Sequence, residues 1–250
     1  MSPAPDASPA DPAAQAAELA GRVDAATQRL LQTAGGITDE QARAASLLPG
    51  WSRGHVLTHI ARNADSLRNL LVWARTGVET PQYPSVEARD RGIAEGAGRP
   101  AADLVDDVEV SSAALAAEAA ILADADWAAQ VRGMGGRGHP AWYTLWRRLT
   151  EVEFHHVDLG SGYEPAQWPE DFAVQSLERV SSDFSKPTSP AVTLVSLDSG
   201  QTHRIGPAEA EPTARISGPT RDLLAWLTGR GTGAGLTADP AGPLPSLPAW

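Results

Sequence analysis

The sequence predicts an α+β protein, with a four-helix bundle over roughly the first 160 residues and a smaller domain mixing helices with short strands behind it. Three observations carry this reading. Apolar residues recur at helical spacing in four long segments between Asp11 and Gly160. Capping and stopping residues bound those segments. Beyond Ala191 the pattern changes to short β-branched runs separated by turn residues.

Asp11 followed by Pro12 supplies a cap and a first-turn proline, and Leu19, Val23, Ala26 and Leu30 repeat at helical spacing up to Gly35-Gly36. A short polar helical turn spans Asp39 to Ala45. After Pro49-Gly50, Ser52 caps a long helix to about Thr76, with Val56, Ile60, Leu67, Leu70, Leu71 and Trp73 on its buried side. Gly77 stops it, an extended loop follows to Pro84, and a short helix covers Ser85 to Glu95. Leu104, Val108, Leu115, Ala119 and Leu122 stripe a third long helix starting near Pro100. Gly133, Gly135, Gly136 and Gly138 read as a flexible link, and Pro140 opens a fourth long helix through Trp142, Leu145, Leu149 and Val152 to Gly160. Short connections between long amphipathic helices are the mark of a bundle.

The boundary is expected between Ser161 and Gln167. The division is then a flexible leader over 1–11, a bundle over 12–163 and an α+β domain over 164–250. Within the last, a helix is expected from Pro169 to Phe184. A hairpin pairs Ala191–Leu197 with Gln201–Ile205 across Asp198-Ser199-Gly200, Arg215-Ile216 forms another strand, and a helix runs from Pro219 to Gly229 before a proline-rich tail.

Composition excludes several function classes. Hydrophobic residues make up 42% and charged residues 20%, enough apolar surface for real cores across 250 residues. The net charge of −11 repels a phosphate backbone, so nucleic acid is not an expected partner. No stretch approaches the roughly 18 apolar residues of a membrane span, and the Pro/Ala/Asp-rich opening lacks the features of a signal peptide, so a cytoplasmic protein without a membrane partner is expected. Cysteine is absent. That removes disulfides, thiolate ligands and a protein-borne thiol nucleophile, so any thiol chemistry must import its sulfur, and metal ligands must come from His, Asp and Glu.

Four of the six histidines fall in suggestive places: His55 and His59 on the second long helix, His155 and His156 on the fourth. Glu151 precedes His155 by four residues, which puts both side chains on one helix face with Cβ atoms roughly 5 to 6 Å apart. Leu145, Leu149, Val152 and His156 form the apolar stripe of that helix, while Thr144, Arg148, Glu151 and His155 border it. A polar stripe beside the core is where a bundle holds a metal. His59 adjoins Ile60 at a core edge. Two histidines and a carboxylate with an open position suit catalytic zinc, though iron or manganese also take such a set. On spacing alone, His55 competes with His59, and Glu153 with His156 competes with the Glu151 pair. His139 and His203 read as ordinary surface histidines.

Several longer stretches resemble one family. Leu47-Leu48-Pro49-Gly50-Trp51-Ser52-Arg53-Gly54-His55-Val56-Leu57-Thr58-His59 is similar to the second-helix signature of the mycothiol-dependent maleylpyruvate isomerases, within the DinB/YfiT-like group of metal-binding four-helix bundles. Trp73-Ala74-Arg75-Thr76-Gly77-Val78-Glu79-Thr80-Pro81, then Tyr83 and Glu87-Ala88-Arg89, resembles the isomerases more than the wider group. The third stretch is Leu145-Trp146-Arg147-Arg148 through Glu151 to His155-His156-Val157-Asp158-Leu159-Gly160, and Ile216-Ser217-Gly218 through Leu223 to Gly229-Arg230-Gly231 resembles their C-terminal domain. The likeness spans roughly Leu19 to Thr237, with Arg148 and Thr150 at positions that vary and a leader that looks private to this chain.

The resemblance implies a DinB/YfiT-like bundle whose metal ligands are His59, Glu151 and His155, which settles the register. It also implies one zinc per chain and mycothiol as thiol cofactor, with Arg230 and Arg89 as catalytic and substrate-binding arginines. The implied reaction is cis–trans isomerisation of maleylpyruvate, a dicarboxylate, to fumarylpyruvate in gentisate breakdown by reversible thiolate addition. A monomer or weak homo-oligomer is expected. Two other readings start from the same residues: a mycothiol S-transferase that conjugates electrophiles, and a non-catalytic ligand-binding module.

Overall fold

A computed structural model of the chain describes residues 11–250. The expected leader over 1–11 lies, but for Asp11, outside the described residues. The described residues form two compact units, one ending at Tyr163 and the other running from Glu164 to Trp250. Both helix and sheet are present, so the fold class is α+β.

The first unit contains α1 (Pro12–Ala34), α2 (Asp39–Arg43), α3 (Arg53–Thr76), α4 (Val86–Gly96), α5 (Ala101–Ala120), the strands β1 (Gln130–Arg132) and β2 (Gly138–Pro140), and α6 (Tyr143–Asp158). Its starts and stops follow local chemistry. Asp11 accepts from the amides of Ala13 and Ala14, both at 3.0 Å, ahead of Pro12. Ser52 and His55 close a reciprocal capping box on α3, and Gly77 ends that helix with φ 70°, a left-handed conformation that costs glycine little. Each cap contributes on the order of 1 kcal/mol. Helices of this length are marginal alone in water, so packing holds them.

The centre of that packing is α3. Val56, Leu57, Ile60, Ala61, Ala64, Leu67, Leu70 and Leu71 are fully buried against α5 on one side and α6 on the other, while α1 packs on α6 and α5. Gly54 lets the start of α3 touch the end of α4, since any Cβ there would collide with the carbonyl oxygen of Ala97. Trp73, expected on the buried side, is only half-buried. The stretch expected as a flexible glycine link is instead a small antiparallel hairpin, in which Val131 pairs with His139. Val131 is buried, and that burial anchors a segment whose glycines suggest only freedom.

The second unit contains α7 (Glu170–Asp183), β3 (Val192–Ser196), β4 (Thr202–Ile205), β5 (Ala214–Gly218), α8 (Thr220–Leu227) and β6 (Thr237–Asp239). The sheet order is β4-β3-β5-β6, with β3 and β5 parallel and both outer pairs antiparallel. The tail expected to be irregular supplies β6. Trp168, Phe172, Leu177, Leu194, Ile205, Ile216, Leu223 and Leu224 form the core between the helices and the sheet. Asp198, in the β3–β4 turn, accepts from the amide and hydroxyl of Thr220 and so caps α8. Burial works against the Asp198 charge, yet these bonds and one from Ser196 hold its carboxyl far below the usual range. Among the described residues, no helix is long and apolar enough to cross a membrane.

Candidate metal centre

Facing turns of α3 and α6 bring three acceptor atoms together. Nε2 of His59 lies 3.0 Å from Oε2 of Glu151 and 3.0 Å from Nε2 of His155, and His155 Nε2 lies 3.3 Å from the same Glu151 oxygen. The two imidazoles meet edge to face, centroids 4.6 Å apart. Atoms held tetrahedrally on one zinc at roughly 2.1 Å stand about 3.4 Å apart, so this triangle is close to the size of a zinc ligand set.

Its proton inventory also fits a cation. Nδ1 of His155 lies 2.8 Å from Oδ2 of Asp158, so in the neutral ring Nδ1 is the protonated nitrogen and Nε2 is a bare acceptor facing the site. Glu151 offers only acceptors. With both rings neutral, a single hydrogen on His59 Nε2 is all that the three atoms have to share. Nδ1 of His59 is buried without a hydrogen-bond partner, and its ring meets that of Trp51 edge to face with centroids 5.6 Å apart.

Electrostatics follow this geometry. Burial pushes His59 down from the usual imidazole range, the neighbouring His155 adds to that, and Arg89 contributes more weakly. His155 goes the other way: burial disfavours its charge, but bonds to Asp158 and Glu151 outweigh it and raise the ring. Burial would also raise Glu151, but hydrogen bonds and charge from the two histidines hold it well below the usual carboxylate range. Metal uptake must therefore displace a proton held more firmly than in free histidine, and metal affinity should fall as pH drops through that raised range. Asp158→Asn should weaken the metal about 10- to 100-fold at neutral pH without touching a ligand. Competition with a chelator of known affinity would measure it, and an unchanged affinity would remove Asp158 from the site.

Elsewhere in the unit, α6 is fixed to α3 by Arg148, which is fully buried and donates from Nη1 to the carbonyl of Ile60 at 2.7 Å and to Oδ1 of Asn63 at 3.0 Å. This clamp lies one residue past His59 and three before Glu151. The competing candidates point away. Nδ1 of His55 lies 2.7 Å from the Ser52 hydroxyl in the α3 cap, so that histidine serves the helix start. His156 stacks on Tyr163 at 3.8 Å with Nε2 2.8 Å from Thr33 Oγ1, while Glu153 takes Arg29 at 2.5 Å and the Tyr163 hydroxyl at 2.7 Å.

Arg89 sits on α4, partly buried, with an ion pair to adjacent Asp90 at 2.7 Å. Arg230, in the other unit, follows Gly229 (φ 72°) at the end of α8, where its Nη1 donates to the Thr228 carbonyl and its guanidinium lies 5.8 Å from the Trp250 ring centroid. Sequence reasoning gave Asp158 and Trp51 no role, although the three-residue step from His155 to Asp158 was there to read. The surface reading of His139 is wrong. It is 5% exposed, because β2 lays it beside Tyr143 and Arg147, and burial lowers it to about 4, so it is neutral. His203 is half-buried beside Gln201.

Known proteins share this fold. Residues 23–160 match the family model of the mycothiol maleylpyruvate isomerase N-terminal domain, and residues 167–249 match the model of the corresponding C-terminal domain. Among solved structures, that of the mycothiol-dependent maleylpyruvate isomerase is similar, with 29% identity and a TM-score of 0.87 over 94% of this chain and 97% of that one. The structure of a histidine-to-alanine mutant of that isomerase gives the same figures. No curated protein matches the chain.

Proposed function

The chain belongs to the mycothiol maleylpyruvate isomerase family, and from that membership we propose that it is a zinc enzyme converting maleylpyruvate to fumarylpyruvate with mycothiol as cofactor. The observation that carries the proposal is the triangle of His59, which is buried, with the half-buried Glu151 and His155, whose ligand atoms lie 3.0 to 3.3 Å apart. A bound zinc would hold the mycothiol sulfur as thiolate at neutral pH, whose reversible addition makes the substrate's carbon–carbon double bond single and free to rotate.

The chain's own residues then have distinct tasks. His59, Glu151 and His155 would hold the dication and bring it one negative charge. Asp158, bonded to Nδ1, holds the His155 ring with its Nε2 facing His59 and Glu151. Arg148, by tying α6 to Ile60 and Asn63, keeps the two ligand-bearing helices at one separation. Arg89, whose charge is felt at His59, and Arg230 are assigned to the two carboxylates of the substrate, which a guanidinium binds bidentately.

Because the chain has no cysteine, purified protein should isomerise maleylpyruvate negligibly until mycothiol is added, and mycothiol should not be consumed. Absorbance of the product against added thiol measures this. Robust isomerisation with no thiol present would end the proposal. Consumption of one mycothiol per turnover would reassign the same centre to conjugation of electrophiles.

A further inference from the structure

The bundle carries a second concavity, between α1 and α5, with a volume of about 460 Å³, which is within the range of small-molecule sites. Small residues from both helices wall it, Ala16, Ala20 and Ala116 among them, and Leu115, Trp127 and Leu145 back it. Small residues alone say nothing about a ligand. Two polar side chains at the bottom say more.

One is Arg148. It is fully buried, and three of its five N–H groups donate, to Ile60 O, Asn63 Oδ1 and Ser112 Oγ, all neutral acceptors. Its Nε has no partner. The other is Thr27, 5% exposed, whose hydroxyl has no partner either, although a helical threonine ordinarily donates to the carbonyl four residues back. Both line the same groove. The Glu151 and Asp65 carboxylates act on Arg148 only through space, so a buried cation whose hydrogen bonds all go to neutral acceptors, with a donor to spare beside a second idle hydroxyl, suits an anionic acceptor. The groove's exposed liners have the opposite character: Asp24, Glu109 and Asp124 are carboxylates and repel a second negative charge at the outer end.

We propose that this groove is a second binding site, distinct from the metal centre, for a small organic monocarboxylate with an apolar body whose carboxylate is taken by Arg148 and Thr27. Burial lowers the guanidinium only to about 10, so it is charged at neutral pH. The alanine walls accept a narrow aliphatic or aromatic body, and the acidic outer residues discriminate against dicarboxylates.

Calorimetric titration of the full-length protein with octanoate tests the proposal, with octan-1-ol, octanedioate and octylamine as comparators. Octanoate should bind with one site per chain, and the alcohol and the dicarboxylate should each bind at least about tenfold more weakly. Replacing Arg148 would also release α6 from α3, so two milder variants take its place. Thr27→Val keeps the shape and should weaken octanoate about tenfold. Ala116→Trp fills the groove from an exposed position and should abolish binding with an unchanged melting temperature. Octanoate should bind His155→Ala protein as tightly as the unaltered chain. Absence of octanoate binding, equal or tighter binding of octanol or octylamine, retention in Ala116→Trp, or loss in His155→Ala would each overturn the proposal, the last by placing the carboxylate at the metal centre.

Discussion

Replacing His155 with alanine is expected to take bound zinc from about one per chain to almost none and to lower isomerase turnover by about a thousandfold or more. The geometry explains the size of the effect. His59 and Glu151 alone leave two donors, one from each helix, and a two-point site with a single carboxylate does not retain a catalytic ion against water. The substitution also leaves the Asp158 carboxylate without its 2.8 Å partner on the ring. His156→Ala is the matched control. That ring faces Thr33 and Tyr163 on the other side of α6, so the variant should keep its zinc and most of its turnover while losing about 1–3 kcal/mol of stability for the stacked, hydrogen-bonded ring. Metal analysis of the purified variants, alongside thermal unfolding, separates the two outcomes. A His155→Ala protein that is metal-free and fully active would end the metal reading altogether.

The contrast between these neighbours shows what periodicity can and cannot deliver. The four-residue step from Glu151 to His155 fixes a shared face on any helix, and the apolar stripe through Leu145, Leu149 and Val152 says that this face borders the core. Which histidine of α3 meets it is a tertiary question that spacing leaves open between His55 and His59. The structure answers through a local device, because Ser52 engages His55 in the cap and leaves His59, one turn on, to face α6. The long helices were legible for the same reason as the pair: their apolar residues repeat over many turns and their ends carry caps. The hairpin of β1 and β2, three residues a side, and the strand β6 were not, because so short a strand is defined by its partner and not by its own pattern. The parallel pairing of β3 with β5 skips over β4 and has no local signature at all. His139 was misjudged on that account, since only the hairpin buries it. Arg148 looked like a variable polar position, and only the packed bundle reveals a buried guanidinium bound by two helices.

On the proposed role of Arg230 as a ligand of the substrate carboxylate and not of the metal, Arg230→Ala should lower turnover by about two to four orders of magnitude while zinc content stays normal. The reasoning is electrostatic. In the proposed reaction, two neutral histidines and one carboxylate would leave a zinc site with a net single positive charge, whereas a dicarboxylate substrate and a thiolate would together bring three negative charges. In a chain of net charge −11 the balance must be met by cations placed for the purpose. Arg89 on α4, whose charge acts on His59, is the first by assignment. Arg230 is the second by assignment: it follows Gly229 in a left-handed conformation at the end of α8 and precedes Gly231, a stretch of chain that can come close to a ligand without side chains in the way. Trp250 flanks its guanidinium and limits where the head group points. If contact with the substrate carboxylate is bidentate, Arg230→Lys keeps the charge but loses the fork, and should recover little of the lost rate. Steady-state kinetics at saturating mycothiol, with zinc measured on the same samples, reads both variants. Full turnover in Arg230→Ala would free this arginine from the reaction and leave Arg89 to answer the substrate's charge alone.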